Sequence, residues 1–220
     1  MNESEGRIHY RLLTKADVDR VPLQHQGSRE EVLQRIEALG SSAMLAFEGD
    51  RHVGQLQFRL YVPNTISPAG LMDPLYWMDF EGRAPSLPDR TLALFCYHVG
   101  QLDDTDARDS RYFGRGIGTR LLEDTLAWMA GAGVQAVIAK GLPAIPPVPQ
   151  FMGGLPASSY LSRGFEAVAR YRDANLRVVL NRMLKGLYGI EFKNTLQAGV
   201  SAGVSLDEAS EIAICVKRFK

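Results

Sequence analysis

The sequence predicts an α/β fold, and three stretches support this prediction. Two apolar runs, residues 43–48 and 52–61, flank Gly49-Asp50 in the manner of a β-hairpin. Thr91 to Val99 is nearly continuous in apolar character, as in a strand that is buried on both faces. Tyr112 to Glu123 combines a glycine-rich turn with the start of an amphipathic helix.

Composition limits the class of protein. The 220 residues suffice for one α/β domain with insertions or for two small domains. Hydrophobic residues at 45% and charged residues at 23% are typical of a globular protein with a buried core. The formal net charge is zero, so charge gives no support to a nucleic-acid or membrane-surface partner. No apolar run has the length of a signal peptide or a membrane span, which favours a cytoplasmic protein.

Capping signals position the first elements. Ile8 to Leu13 alternates as a strand, and Thr14 to Asp17 then predicts the start of a helix. Ser28 and Glu31 have the spacing of a capping box, which predicts a helix from Ser28 to Leu39. Gly40 is its expected end.

Residues 62–90 contain five prolines, too many for a regular element. A long loop in a compact domain is usually functional or disordered, and the aromatic residues here argue against disorder. We expect this insert to line the site of a cationic amine, since aromatic faces and carboxylates suit such a group. The alternative is core packing of the aromatic rings. The candidate substrate-binding residues are Tyr76, Trp77, Asp79, Phe80 and Glu81.

No metal site is predicted. The loop from Gly100 to Tyr112 holds four aspartates, but their spacing does not match a calcium loop, so we interpret it as a solvated loop. Cys96 and Cys215 lie in apolar runs rather than at metal-binding spacing. They are expected to be reduced packing residues.

The glycine-rich turn is the strongest functional signal. Gly114, Gly116 and Gly118 precede a helix whose first N–H groups lack helical partners, where the helix dipole favours a phosphate. Arg115 and Arg120 add positive charge. The Rossmann pattern fails because its last glycine would be Thr119 or Leu121, and a Walker loop fails for want of a lysine. A turn that only packs a helix on a sheet is the structural alternative.

Phe113 to Gly118, followed by Thr119-Arg120-Leu121-Leu122, resembles the pyrophosphate loop of the GNAT acetyltransferase superfamily, Q/R-x-x-G-x-G/A. The departure is Phe113, where the family has Gln or Arg. The resemblance, which extends over Ile8 to Met183, implies a mixed, mostly antiparallel sheet with helices on both faces. It also implies acetyl-CoA as cosubstrate, with its pyrophosphate bound by main-chain N–H groups of Phe113, Gly114, Arg115, Gly116, Ile117, Gly118 and Thr119.

A second part of the resemblance is Tyr160 placed four residues before Gly164-Phe165. In the family this tyrosine is the general acid that protonates the departing thiolate. A packing role is the alternative for Tyr160. The resemblance also makes Thr91 to Val99 the central strand, whose backbone polarises the thioester at Cys96, Tyr97, His98 and Val99.

Cys96 and His98 are two residues apart, so their side chains share one face of this strand. They could form a nucleophilic pair for an acyl-cysteine route, or simply a buried thiol beside a hydrogen-bonded histidine. The strand has no glutamate, so His98, Asp79, Glu81 or a water relay remain as candidates for the base.

The second half continues the pattern. Val134 to Ala139 predicts a buried strand, and Leu142 to Pro156 is either an extended connector or a lid. Two final strands are expected at 166–172 and 176–183. We expect a domain of residues 1–184 and an extension, 185–220, that packs on it or on a partner subunit, with a homodimer as one arrangement.

Within that extension, Ser205 and Glu208 form a second candidate capping box. A helix with Leu206, Ile212 and Phe219 on one face is favoured, although Ile212 to Val216 could equally form a strand.

The resemblance therefore implies an N-acetyltransferase that moves an acetyl group from acetyl-CoA to the amine of a small molecule or peptide by direct attack. Two other classes remain open. A non-catalytic acyl-CoA sensor would bind CoA without turnover, and a nucleotide-binding module would use the glycine turn for ATP or NAD.

Overall fold

The computed structural model describes residues 6–66, 78–103 and 107–219. Its strands are β1 (Ile8–Leu12), β2 (Ala43–Glu48), β3 (Arg51–Leu60), β4 (Thr91–Val99), β5 (Ala136–Gly141), β6 (Glu166–Arg172) and β7 (Glu211–Arg218). Its α-helices are α1 (Arg29–Leu39), α2 (Ile117–Gly131), α3 (Val148–Met152), α4 (Ala157–Leu161), α5 (Ala174–Leu184), α6 (Ile190–Ser201) and α7 (Leu206–Ala209).

The seven strands form one sheet in the order β1-β2-β3-β4-β5-β7-β6. The pairs β1–β2, β2–β3, β5–β7 and β6–β7 are antiparallel. Helices flank the sheet, which confirms the predicted mixed α/β fold with a mostly antiparallel sheet. In the described part of the chain, no helix combines the length and apolarity that crossing a bilayer requires.

The chain divides into two compact units. The first is formed by Met1–Arg59 and Leu94–Val134, and the second by Leu60–Ala93 and Gln135–Lys220. In the first unit, β2 and β3 form the expected hairpin. The capping box of α1 is present, with Ser28 Oγ accepting from the Glu31 N–H and the Glu31 carboxylate accepting from the Ser28 N–H.

The helix predicted after β1 is only a three-residue 3-10 turn, Lys15–Asp17. Asp17 is 5% exposed and accepts two hydrogen bonds of 2.7 Å from the guanidinium of Arg11. This ion pair lowers the pKa of Asp17 to about 2. This 3-10 turn follows β1 in the chain. The residues around it belong to a hydrophobic core that includes buried Leu13, Val32, Ile36, Leu45 and Phe47.

Helix α2 provides the other apolar face of the first unit. Its buried residues follow the predicted stripe, and α2 contacts β1 and β2. Burial of this stripe fixes the orientation of α2 and therefore of the glycine turn at its start. The buried residues are Ile117, Leu121, Leu122, Thr125, Leu126 and Met129.

In the second unit, β5 begins two residues later than predicted, and the proline-rich segment after it contains α3. The predicted strand over 176–183 is wrong, because these residues lie in α5. The side chain of Asp173 caps α5 by accepting from the Leu176 N–H at 2.8 Å. The apolar positions have helical spacing, which places one face of α5 in the core. The buried residues of this face are Leu176, Val179, Leu180 and Met183.

The helix favoured for Leu206 to Phe219 is also wrong beyond Ala209. The Ser205–Glu208 capping box is present but begins a single turn, α7. The strand β7 follows, pairing with β5 on one side and β6 on the other. The residues from Ile212 to Val216 are at most 1% exposed, so both faces of β7 are buried, which explains their continuous apolar run. The boundary at residue 184 stays a prediction, although the segment beyond it contributes a strand to the sheet.

Candidate active site

The glycine-rich turn has a backbone that two of its glycines make possible. Gly114 and Gly116 have φ values of 70° and 74°, in the left-handed region that side chains disfavour. Gly116 is the N-cap of α2, and no side chain caps the helix there. The first helical hydrogen bond runs from the Arg120 N–H to the Gly116 carbonyl at 3.0 Å. The N–H groups of residues 117–119 therefore have no partner within the helix.

The turn is also open. A Cβ built on Gly114 or Gly116 would meet no atom within 4 Å. By contrast, a Cβ on Gly54 would lie 2.7 Å from the carbonyl oxygen of His98, where the backbones of β3 and β4 approach closely. Packing therefore explains the absence of a side chain at Gly54. At Gly114 and Gly116, by contrast, packing does not explain why the chain has no side chain.

Both arginines of the turn are already in ion pairs. Arg115 lies 3.1 Å from the carboxylate of Glu48 at the end of β2, and Arg120 pairs with Asp124 one turn along α2. The hydroxyl of Tyr112 also donates to Glu48, at 2.9 Å. The hydrogen bonds from Tyr112 and then Arg115 lower the pKa of Glu48. The positive charge predicted for this turn is therefore partly neutralised by Glu48.

The end of β4 lies next to the turn. A Cβ on Gly118 would be 3.8 Å from a methyl group of Val99, an ordinary van der Waals distance. Cys96, Tyr97 and His98 are buried, at 2%, 5% and 2% exposure. The first unit thus brings together the two predicted parts of the cofactor site, Cys96–Val99 and the turn.

Cys96 and His98 share one face of β4, as predicted. Cys96 Sγ lies 2.8 Å from His98 Nε2 and 3.2 Å from Nδ1 of His25, a residue of the 3-10 turn Gln24–Gln26. The other ring nitrogen of His98, Nδ1, hydrogen-bonds to Oε1 of Gln101. His25 was not predicted from the sequence, because it is 71 residues from Cys96 and no spacing rule connects the two positions.

Burial keeps the side chains of Cys96 and His98 uncharged. Desolvation raises the pKa of the Cys96 thiol to about 12 and, together with His25 and Arg108, lowers the pKa of His98 to about 3. A thiol in this state is a poor nucleophile. The pair therefore fits the interpretation as a buried thiol and a hydrogen-bonded histidine better than the acyl-cysteine route.

In the second unit, Tyr160 lies on α4 and is 2% exposed. The helix ends in a Schellman motif, with the Phe165 N–H bonded to the Tyr160 carbonyl at 3.3 Å and the Gly164 N–H to the Leu161 carbonyl at 3.1 Å. Gly164 has the left-handed φ of 76° that this motif requires. The rings of Tyr160 and Phe165 meet edge to face, 5.2 Å apart. Helix termination and packing therefore account for the spacing of Tyr160, Gly164 and Phe165.

The insert is described in part. Tyr76 and Trp77 lie outside the described residues, so their predicted role remains a prediction. Phe80 is 3% exposed and packs against Tyr61, with ring centroids 6.0 Å apart. It lines a pocket of about 260 Å³ together with Tyr61, Met78 and Pro85.

Beside this insert, acidic groups surround the hydroxyl of Tyr171. Burial, followed by the charges of Asp173, Glu81 and Asp79, raises the pKa of Tyr171. Asp79 is 6% exposed and Asp173 4% exposed, and Asp173 lies 3.2 Å from the ammonium group of Lys140. The second unit thus brings Asp79 and Glu81 to one acidic cluster.

Comparison with known proteins gives a fold but no sequence match. No protein-family model and no curated protein sequence matches the chain. An acetyltransferase of the GNAT family from Streptococcus pneumoniae is 13% identical, with a TM-score of 0.50 over 97% of this chain and 100% of its own. The mosquito arylalkylamine N-acetyltransferase like 5b has the same identity, coverage and TM-score. The chain therefore shares the mixed α/β fold of these GNAT-family structures.

Proposed function

We propose that this protein is a GNAT-type N-acetyltransferase that moves an acetyl group from acetyl-CoA to an amine. The observation that carries the proposal is the glycine turn, where left-handed glycines lead into α2 and the first N–H groups of the helix have no helical partner and no side-chain cap. Such N–H groups, with the positive end of the helix dipole, bind phosphate. The fold supports the same assignment.

In this proposal the pyrophosphate of acetyl-CoA binds the main-chain N–H groups between Phe113 and Thr119. The thioester then lies along the end of β4, where the backbone of Cys96 to Val99 polarises its carbonyl. The position of Val99 supports this arrangement, because its methyl group would lie 3.8 Å from a Cβ added to Gly118, which puts the end of the strand beside the turn.

The amine attacks the thioester carbon, a C–N bond forms, and the C–S bond breaks to release the CoA thiolate. In this proposal the Tyr160 hydroxyl donates a proton to this thiolate. A phenol with a reference pKa near 10 is protonated at neutral pH and can therefore act as the acid. A base takes one proton from the ammonium group so that the neutral amine can attack, and the second N–H proton, lost as the amide forms, returns to Tyr160 through water. His98 stays a candidate, but both of its ring nitrogens already have partners, which favours a water relay.

For the acceptor, the proposal places a cationic amine near the acidic cluster of Asp79 and Glu81, with Phe80 as an apolar wall. The buried carboxylate of Asp79 and the pocket lined by Phe80 support this assignment. Opposite charge and an aromatic face together select amines that are protonated in water.

The test is release of the CoA thiol from acetyl-CoA in the presence of a panel of amines, including arylalkylamines, polyamines, aminoglycosides and peptides with free N-termini. Arylalkylamines belong in the panel because one structural neighbour carries that name. Thiol release above the hydrolysis background with at least one amine supports the proposal. Stabilisation by CoA without turnover would favour the sensor, and stabilisation by ATP or NAD alone would favour the nucleotide-binding module.

A further inference from the structure

The side chains of His25, Cys96 and His98 converge in the first unit. One possible ligand atom of each residue lies within 4.8 Å of the other two, and the nitrogens hydrogen-bonded to Cys96 Sγ are Nδ1 of His25 and Nε2 of His98. Among the residues that the structure describes, this is the one group of three or more histidine, cysteine or acidic side chains with metal-binding geometry. We propose that these three residues bind one divalent transition-metal ion, of which zinc is the simplest choice. This inference goes beyond the proposed acetyl transfer.

The distances permit a shared ion. With Zn–S near 2.3 Å and Zn–N near 2.0–2.1 Å, tetrahedral coordination separates a sulfur ligand from a nitrogen ligand by about 3.5 Å. The sulfur–nitrogen distances here are 2.8 Å for His98 and 3.2 Å for His25. Side-chain rotations that move these atoms apart by less than about 1 Å would therefore give the coordination geometry.

The donor set selects the class of metal. One thiolate and two imidazoles favour zinc, copper, cobalt or nickel over magnesium and calcium, which prefer oxygen ligands. Zinc sites with three protein ligands keep a fourth position for water or another ligand. The proposed site is therefore of the open kind rather than the closed, four-ligand structural kind.

Gln101 supplies the outer contact that metal-binding histidines usually have. Its Oε1 can only accept a hydrogen bond, so Nδ1 of His98 carries the proton. The lone pair of His98 is then on Nε2, the atom that faces Cys96. This contact fixes the tautomer that a metal ligand needs.

Solvent access and nearby charges affect how the proposed site would bind a metal ion. Cys96 and His98 are buried, whereas His25 is exposed, so an ion can enter from the side of His25. Arg59 and Arg108 act electrostatically on Cys96, and these cations oppose binding of a metal ion. One thiolate leaves a charge of about +1 on the bound divalent ion, so the arginines favour an anion such as hydroxide as the fourth ligand.

The experiment uses the full-length protein after dialysis against a chelator, titrated with Co²⁺ as a spectroscopic substitute for zinc. One equivalent should bind and give a near-ultraviolet thiolate-to-cobalt charge-transfer band, and added zinc should remove the band. Native mass spectrometry of the zinc-loaded protein should show one ion per chain. This readout does not depend on acetyl transfer, so failure of one proposal leaves the other standing.

Variants locate the site. Cys96→Ala should abolish the charge-transfer band, while Cys215→Ala should keep it, because Cys215 is the other buried free cysteine and lies outside the cluster. His25→Ala should weaken Co²⁺ binding by at least about tenfold, and Gln101→Ala by about 10- to 100-fold. His9→Ala, a change at another exposed histidine, should leave the affinity unchanged.

His25 is exposed, so its variant tests the site even if Cys96→Ala fails to fold. Circular dichroism of each variant confirms that the comparison is between folded proteins. Absence of the charge-transfer band in the natural protein would overturn the proposal. Its persistence with unchanged affinity in folded His25→Ala or Cys96→Ala would do the same.

Discussion

Two glycine turns in this protein share a backbone conformation but differ in what requires it. Gly116 before α2 and Gly164 after α4 have φ values of 74° and 76°. Gly164 completes a Schellman motif, and a Cβ there would lie 2.9 Å from the ammonium nitrogen of Lys217. Gly116 has no neighbour within 4 Å of such a Cβ and leaves the first N–H groups of α2 without helical partners.

The two glycine turns therefore support their predicted functions to different degrees. The Tyr160–Gly164–Phe165 spacing is accounted for by helix termination and ring packing, so it would recur in proteins without any acid catalysis. The glycine turn instead begins a long helix whose first N–H groups have no helical partner, and such groups bind phosphate. The role of Tyr160 consequently needs a direct kinetic test, whereas the role of the turn can be tested by binding alone.

The largest effect is expected for Tyr160→Phe, which removes one hydroxyl and little volume. If Tyr160 is the general acid, turnover should fall by about 10²- to 10⁴-fold, roughly 3–5 kcal/mol of barrier, with acetyl-CoA affinity unchanged. Turnover and cofactor affinity should be measured on the same preparation. Tyr112→Phe is the matched control for loss of a buried hydroxyl, because Tyr112 is also 2% exposed. Loss of its hydrogen bond to Glu48 affects the charge beside Arg115, so only turnover at saturating acetyl-CoA is compared, and this should change little.

A loss of only a few fold in Tyr160→Phe would make this residue a packing residue. The motif around Gly164 would then serve only to end α4 and pack Tyr160.

The next effect concerns Gly116→Ala. Acetyl-CoA at about one hundred times its dissociation constant should stabilise the natural protein by about 2.7 kcal/mol. The methyl group of alanine would occupy the open space at the turn, so most of this stabilisation should disappear. Thermal unfolding with and without the ligand measures it. Full retention of the shift would place the pyrophosphate elsewhere.

Gly164→Ala is the counterpart at the structural turn. A left-handed alanine costs about 1–2 kcal/mol, and the Lys217 side chain must also move. We expect that loss of unfolding free energy in denaturant titrations, with the stabilisation by acetyl-CoA retained. A comparable loss of unfolding free energy in Gly116→Ala is expected from its φ value, so the two variants should differ mainly in ligand response. Loss of the ligand response in Gly164→Ala would remove the distinction between the turns.

Local signals predicted most of the fold. Capping boxes predicted the start of α1 and of α7. Glycine positions and apolar patterning predicted the β2–β3 hairpin, β4 and α2. Each of these signals depends on residues that are close in sequence. The error over residues 206–219 has a different origin. Ile212 to Val216 is a strand because β5 and β6 pair with it, and neither neighbour is visible in its own residues.

The candidate site also contains a part that was predictable from neighbouring residues and a part that was not. The glycine turn was predictable because its residues are contiguous. The contact of His25 with Cys96 joins positions 71 residues apart, and the pairing of Glu48 with Arg115 joins positions 67 apart. Such contacts are set by the sheet and the packing of the chain upon it. Sequence spacing carries no information about them.

The smallest effect is expected for Glu48→Gln. The hydroxyl of Tyr112 and the guanidinium of Arg115 lower the pKa of Glu48, so its carboxylate is charged at neutral pH and offsets the positive charge of Arg115. Glutamine removes this negative charge but keeps an acceptor for Tyr112. Acetyl-CoA should then bind about two- to fivefold more tightly at low ionic strength, and added salt should reduce the gain because surface charges are screened.

The pH dependence identifies the cause of this gain. As the pH falls through the lowered pKa of Glu48, below the usual value of about 4.3 for glutamate, the natural protein loses the same charge and its affinity should converge on that of the variant. The double variant Glu48→Gln with Arg115→Gln should show no gain over Arg115→Gln alone, because the released charge is absent. Tighter binding in the double variant would mean that Glu48 acts on the ligand directly rather than through Arg115. Unchanged affinity in Glu48→Gln would mean that the turn binds phosphate through its N–H groups without help from Arg115.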